Sequence, residues 1–137
     1  MKRALGIDLG DARVGVALSD ELGFLAHPLE TLAVKEGKVA ERIAQLAREK
    51  NATTIVVGMP RNMDGSFGPA ATKAKTFIEQ LSAIAPCPVV PWDERLSTVA
   101  AQRNLQEAGR KARDQKKIID QVAAQIILQS WLDAQPS

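Results

Sequence analysis

The fold is decided by the stretch Arg3-Ala4-Leu5-Gly6-Ile7-Asp8-Leu9-Gly10, whose pattern returns in Arg13-Val14-Gly15-Val16-Ala17-Leu18-Ser19-Asp20. The two apolar runs flank a glycine-containing turn signal, so they predict the two strands of a β-hairpin. Side chains alternate along a strand, so the leucines and the isoleucine of the first run share one face. Asp8 lies on the other face, beside glycines.

Asp8 is an unusual residue for an otherwise apolar strand. A carboxylate there costs several kcal/mol or shifts its pKa unless it has a partner. The neighbouring glycines leave room for a bulky group to approach the backbone. A metal ion, or a phosphate held through one, would satisfy both conditions. The alternative is that Asp8 caps the turn at Gly10.

Composition indicates an ordinary soluble globular protein. The chain has 137 residues, 45% hydrophobic and 25% charged, which predicts one domain spanning residues 1–137. The net charge of +2 is too small to indicate a partner. The single Cys87 excludes an internal disulfide and fits a reducing compartment. We find no apolar run of spanning length and no signal peptide, so we expect a cytoplasmic protein that does not bind a membrane.

The rest of the chain predicts alternating strands and helices, and therefore an α/β fold. A third strand is expected over residues 23–32, where Pro28 indicates an edge position or a bulge. The apolar run 54–58 lies between helical patterns, which is typical of a buried parallel strand. A short proline-containing strand over 89–92 is expected at a sheet edge. Helices are expected over residues 36–50, 69–85, 99–108 and 115–132.

Polar residues follow both predicted parallel strands, at the strand ends where open α/β sheets bind ligands. The first loop carries Arg61 and Asn62, although it also contains a good turn sequence. The second begins with Asp93-Glu94-Arg95, just before a helix N-terminus that favours anions. These acids could also merely complement the helix dipole.

Positive charge is concentrated in one stretch of the chain, comprising Arg110, Lys111, Arg113, Lys116 and Lys117. Contact with phosphate groups is a natural use for such a stretch. A solvated basic loop is the alternative interpretation.

Asp8, Glu94 and Asp120 form a candidate constellation. Asp120 shares a predicted helix row with Ala124 and Ile127, a row that should face protein. If the first strand is central, all three acids can meet at one edge of the sheet. Clustered carboxylates repel one another unless a cation neutralises them, and oxygen-only ligands favour Mg²⁺ or Mn²⁺. Beside basic residues, such a site fits metal-assisted cleavage of a phosphodiester.

The motifs together resemble those of the YqgF family, bacterial proteins also called RuvX and described as Holliday junction resolvases. The resemblance covers essentially the whole chain. It is carried in order by Gly6-Ile7-Asp8-Leu9-Gly10, Arg13-Val14-Gly15-Val16-Ala17, Val57-Gly58-Met59-Pro60-Arg61-Asn62-Met63-Asp64-Gly65, Asp93-Glu94-Arg95-Leu96-Ser97-Thr98 and Asp120-Gln121-Val122-Ala123-Ala124.

The resemblance implies an RNase H-like fold, with a five-stranded mixed sheet of three antiparallel and then two parallel strands, flanked by helices. It also implies a metal-dependent nuclease assigned to maturation of the 5′ end of pre-16S rRNA, with its acidic triad on Asp8, Glu94 and Asp120. We expect these three residues to hold the metal. Substrate contacts are expected from Arg13, Arg61, Asn62, Arg95, Arg110, Lys111 and Arg113.

The sequence leaves the substrate open between RNA and DNA. Pre-16S rRNA or a pre-ribosomal particle is favoured by the family assignment. A DNA junction resolvase is the alternative, and it predicts a homodimer because two strands must be cut in a matched way. A weaker hypothesis is a non-catalytic RNA-binding module. Another is a single-lobe nucleotide binder, because residues 6–10 also resemble a phosphate-binding motif of actin-like ATPases.

Overall fold

The structure is a computed structural model that describes residues 3–60, 67–96 and 112–136, with the side chains of 112–121 outside that description. The predicted helix over 99–108 therefore lies outside the described residues. So do the predicted substrate contacts Arg61, Asn62, Arg110 and Lys111.

Five strands form one mixed sheet in the order β3-β2-β1-β4-β5. The first three strands are antiparallel, and the last two run parallel to β1. This is the arrangement that the family resemblance implied. The strands are β1 (Arg3–Leu9), β2 (Arg13–Ser19), β3 (Ala26–Ala33), β4 (Ala52–Met59) and β5 (Val89–Asp93).

Three described helices cover the sheet: α1 (Val39–Glu49), α2 (Pro69–Ser82) and α3 (Ala112–Ala134). The prediction that α1 begins near residue 36 was wrong. Gly37 and Lys38 have φ angles of 72° and 57°, and this left-handed backbone separates α1 from a short 3₁₀ turn at Val34–Glu36. None of the described helices combines the length and the apolar character needed to cross a membrane.

The prolines mark the edges of the sheet, as the sequence predicted. In β3, Pro28 pairs with Ala17, whereas Glu30 pairs with the preceding Val16, so Leu29 is the extra residue of a β-bulge. In β5, Pro91 lies on the other outermost strand, where a missing N–H donor is tolerated.

The two faces of the sheet are packed differently. Large aliphatic side chains face α1 and α2, and their buried cluster includes Leu5, Ile7, Val16, Ile55, Val57, Ile43 and Leu81. Small residues dominate the strand positions that face α3, where the cluster includes Ala4, Ala17, Val56, Ala124, Ile127 and Leu128. A Cβ on Gly6 would lie only 2.5 Å from Cβ of Leu128, so α3 approaches the backbone of β1 closely.

Helix α3 is also fastened to the start of β3. The amide of Gln125 donates to the carbonyl of Ala26 at 3.0 Å. The side chain of Gln129 accepts from the Ala26 N–H at 2.9 Å and donates to the Phe24 carbonyl at 2.8 Å. These bonds hold the outer strand against the helix.

We expect Gly6→Ala to destabilise the protein. The new methyl group would meet Cβ of Leu128 at 2.5 Å and the carbonyl oxygen of Ala124 at 2.9 Å, and neither atom belongs to a flexible side-chain end. Such overpacking lowers the free energy of unfolding by about 1–3 kcal/mol. Urea denaturation followed by tryptophan fluorescence measures it. The exposed Ser82→Ala variant should stay within about 0.5 kcal/mol of the parent; an equal stability for Gly6→Ala would refute the close packing.

Candidate active site

Asp8 lies near the carboxyl end of the central strand and is fully buried. It faces α3, because it alternates with Ile7, which belongs to the cluster on the opposite face. Its partner on β2 is Gly15. Since Ile7 pairs with Val57 on β4, the next residue on that side is Gly58. Two glycines from neighbouring strands therefore flank Asp8.

Because Asp8 is fully buried, its carboxylate requires compensating interactions. A carboxylate removed so completely from water is maintained only where hydrogen bonds or a positive charge compensate its lost hydration. Carboxylate oxygens are the preferred ligands of hard cations such as Mg²⁺. The donor chemistry at Asp8 therefore fits a metal ligand.

Glu94 lies directly after β5, in a short 3₁₀ turn (Glu94–Leu96). A Cβ built on Gly58 would lie 3.0 Å from Oε1 of Glu94 and 3.4 Å from its Cγ. The carboxylate of Glu94 thus occupies the space above Gly58, the residue beside Asp8. The structure brings these two predicted acids together at the carboxyl edge of the sheet.

Asp93 shapes the turn that carries Glu94, a role that was not predicted from the sequence. Its Oδ1 accepts a hydrogen bond from the backbone N–H of Arg95 at 2.9 Å, and its Oδ2 accepts from Nη2 of Arg95 at 2.8 Å. The available signal was an Asp two residues before the N–H that it binds, which is the pattern of an Asx turn. Arg95, predicted to contact substrate, keeps 42% of its side chain exposed.

Asp120 lies in α3, and its side chain is outside the described ones. Two later residues of the same predicted helix row are described. One turn later, the carbonyl oxygen of Ala124 lies 2.9 Å from the Cβ position of Gly6, and two turns later, Cδ1 of Ile127 lies 2.6 Å from that of Gly58. Ala124 and Ile127 thus face the sheet as predicted, while the orientation of Asp120 and its approach to the other two carboxylates stay predictions.

The remaining predicted residues are placed less completely. Arg13 begins β2 and is half-buried, and its carbonyl accepts the Gly10 N–H at 2.9 Å to close the hairpin. Arg113 lies in α3, with its side chain outside the description. Within the described side chains, no three His, Cys, Asp or Glu residues form a metal-binding group. The side chain of Asp120, the third predicted acid, lies outside that set.

Cys87 and His27 do not contribute to the site. Cys87 packs half-buried against the core beneath α1 and α2, and burial raises the pKa of its thiol, so the reactive thiolate is disfavoured. His27 is exposed on the edge strand β3.

The fold is that of RuvC-like resolvases. A solved structure of Thermus thermophilus RuvC in complex with a Holliday junction substrate matches with a TM-score of 0.61 and 18% identity, covering 98% of this chain and 95% of that one. The fowlpox virus Holliday junction resolvase matches with a TM-score of 0.51 and 14% identity, over 97% and 99% of the two chains. The class is therefore an RNase H-like α/β fold.

The chain belongs to the RuvX family, whose model, described as "Holliday junction resolvase", matches residues 2–134. A curated relative from Halalkalibacterium halodurans is 46% identical, over 97% of both chains. Another from Mycobacterium sp. (strain KMS) is 52% identical, over 96% of this chain and 79% of that one. Both are named "Putative pre-16S rRNA nuclease". The resemblance drawn from the motifs is confirmed, and the chain is a hydrolase that acts on nucleic acid.

We expect Gly58→Ala to impair nuclease activity by displacing Glu94. The added methyl group would lie 3.0 Å from Oε1 of Glu94 and 2.6 Å from Cδ1 of Ile127. The Glu94 carboxylate would have to move by a few tenths of an ångström. Since a misplacement of about 1 Å in a catalytic group costs on the order of 10²-fold in rate, we expect a severalfold loss. Steady-state cleavage rates and urea denaturation, measured on the same preparations, give both effects.

The double variant Gly58→Ala/Ile127→Val separates the two contacts. Valine lacks Cδ1, so the clash with the helix is relieved and stability should recover in part. The contact with Glu94 persists, so activity should stay low. Recovery of wild-type cleavage by the double variant would show that the glycine serves the helix and not Glu94.

Proposed function

We propose that this chain is a metal-dependent nuclease that matures the 5′ end of pre-16S rRNA, with Asp8, Glu94 and Asp120 as its catalytic carboxylates. The observation that carries the proposal is the Glu94 carboxylate lying over Gly58, beside the fully buried Asp8. The names of the two curated relatives support RNA as the substrate.

Dependence on a divalent metal is a property of RuvC-like nucleases, and the residues present fit such an ion. Asp8 and Glu94 offer only oxygen donors, which suit Mg²⁺ or Mn²⁺. Asp120 would supply a third carboxylate. When bound, the metal contributes Lewis acidity toward the phosphodiester and lowers the pKa of a bound water molecule.

The protein's own contribution is positional. Asp8 is held on the central strand between two other strands, so its carboxylate has little freedom to move. Glu94 is held by a turn that the Asp93 carboxylate closes. Ligands fixed in this way lose little conformational entropy when substrate binds.

Basic residues supply the binding of the nucleic acid. Arg95 is paired with Asp93 yet 42% exposed, so its guanidinium can also donate to a phosphate next to Glu94. We assign further phosphate or ribose contacts, as the sequence predicts, to Arg13, Arg61, Asn62, Arg110, Lys111 and Arg113. We place this activity in the cytoplasm, in agreement with the single cysteine.

Resolution of four-way DNA junctions is a second candidate function, favoured by the description of the matching family model. It uses the same carboxylates and the same metal chemistry. It differs in requiring two active sites that cut symmetrically, and thus a homodimer.

Removing the carboxylate charges should abolish cleavage. Asp8→Asn, Glu94→Gln and Asp120→Asn are each expected to lower kcat by at least about 10²-fold, since each removes an anionic oxygen donor. Affinity for RNA measured without metal should stay within a few-fold of the parent. The matched control is Asp11→Asn, which removes an exposed carboxylate from the neighbouring turn. Wild-type rates in all three variants would overturn the site.

Two labelled substrates compared side by side test RNA against DNA. A pre-16S 5′ leader fragment and a four-way DNA junction are incubated with Mg²⁺, Mn²⁺ or EDTA, using the parent and Asp8→Asn. We expect RNA cleavage that requires both the metal and Asp8. Symmetric cutting of the junction alone would replace the RNA assignment by the resolvase, and cutting in EDTA would refute metal dependence.

A further inference from the structure

A cavity of 390 Å³ opens on the α2 side of the sheet, on the face opposite Asp8. Its walls are formed by the ends of β4 and β5, by α2, and by Phe67. The side chains that matter for its chemistry are Met59, Phe67, Lys75, Ile78, Glu79 and Asp93.

The cavity and the candidate active site share one edge of the sheet. Met59 directly follows Gly58, and Asp93 directly precedes Glu94. Consecutive residues of a strand face opposite sides, with Cα atoms about 3.8 Å apart. Met59 therefore lines the cavity on one face of the sheet, while Glu94 lies over Gly58 on the other face. A nucleic-acid strand that crosses this edge can reach both places within a nucleotide or two.

The lining combines an aromatic ring, a cation and apolar walls. The residue Phe67 is 47% exposed, and Nζ of Lys75 lies 3.9 Å from the centroid of its ring. Met59 is buried to 5% exposure and lies among Ala71, Ala74 and Ile78. Apolar walls with an aromatic ring receive the flat face of a nucleobase, and an ammonium group attracts its phosphate.

The polar groups of the lining add a preference among the bases. Glu79 and Asp93 both line the cavity. Because both oxygens of Asp93 already accept hydrogen bonds from Arg95, we assign contact with the base to the Glu79 carboxylate. Carboxylates accept hydrogen bonds from exocyclic amino groups, which cytosine, adenine and guanine carry and uracil lacks. The Asp93 carboxylate is partly neutralised by Arg95, which reduces its repulsion of a nearby phosphate.

We propose that this cavity binds one unpaired nucleobase of the substrate strand, next to the cleaved phosphodiester, and that it prefers a base with an exocyclic amino group to uracil. The inference rests on the proposed nuclease function and deepens it. The volume lies at the lower end of the range for small-ligand sites, about 300–1,000 Å³, so it suits a single nucleoside. A paired base cannot enter, so the substrate is single-stranded at this point.

The methyl group of Met59 reports occupancy directly. The protein is labelled with ¹³C at its methionine methyl groups, and Met59→Leu assigns the signal among the three methionines. Octanucleotides of C, A or U are titrated in EDTA, so neither metal nor cleavage contributes. We expect a saturable shift of the Met59 signal with C and A, about tenfold weaker binding of U, and no shift with an RNA duplex.

Phe67→Ala provides the variant, and Phe24→Ala the matched control with an exposed ring in the turn between β2 and β3. Loss of the Phe67 ring should weaken octacytidine binding about tenfold, as expected for one stacking platform. The Phe24 substitution should leave it unchanged. Both rings are exposed, so both variants are expected to fold, which circular dichroism verifies.

The outcomes separate the cavity from the proposed function. A Met59 signal that no oligonucleotide shifts overturns the cavity assignment, even where the parent cleaves the pre-16S leader. A saturable shift that needs Phe67 supports the cavity, even where the leader is not cleaved and the nuclease proposal fails. Equal binding of octauridine and octacytidine overturns the base preference.

Discussion

The close contact between α3 and the sheet backbone is the constraint on which the rest of the structure depends. Glycines at positions 6 and 58 lack the Cβ atoms that would keep the helix away. The space above Gly58 is instead shared by Ile127 of α3 and by Glu94 from the turn after β5. The absence of a Cβ atom at Gly58 thus influences the positions of both α3 and Glu94. This coupling explains why Asp8 and Glu94, although far apart in the sequence, lie at the same edge of the sheet.

Burial of aliphatic side chains on the opposite face of the sheet offsets the free-energy cost of this arrangement. Leu5, Ile7, Ile55, Val57 and Ile43 are all fully buried there. Complete burial of such a side chain contributes about 1.5–3 kcal/mol each. A central strand stabilised from one side can carry a buried carboxylate on the other. One face of β1 carries core side chains and the other carries Asp8, because side chains alternate along a strand.

Much of the fold could be predicted because its signals are local. The apolar alternation of the first two strands, the edge positions of Pro28 and Pro91, and the start of α2 at Pro69 each rest on a few neighbouring residues. The start of α1 was missed because left-handed backbone at Lys38, a non-glycine residue, has no reliable sequence signal.

The site was predictable only in part, for a different reason. Asp8 could be selected because glycines surround it in the sequence, and Glu94 because it follows a strand end. The position of Glu94 over Gly58 is a contact between the turn after β5 and strand β4. No local sequence pattern specifies such a contact. The cavity behind Met59 has the same origin. The binding of β3 by the glutamines of α3 is likewise a contact between separate elements and was not predicted. An outer strand offers unsatisfied N–H and C=O groups to any passing chain. Here Gln125 and Gln129 occupy both groups of Ala26, so the helix itself protects the beginning of this edge against intermolecular sheet growth and aggregation.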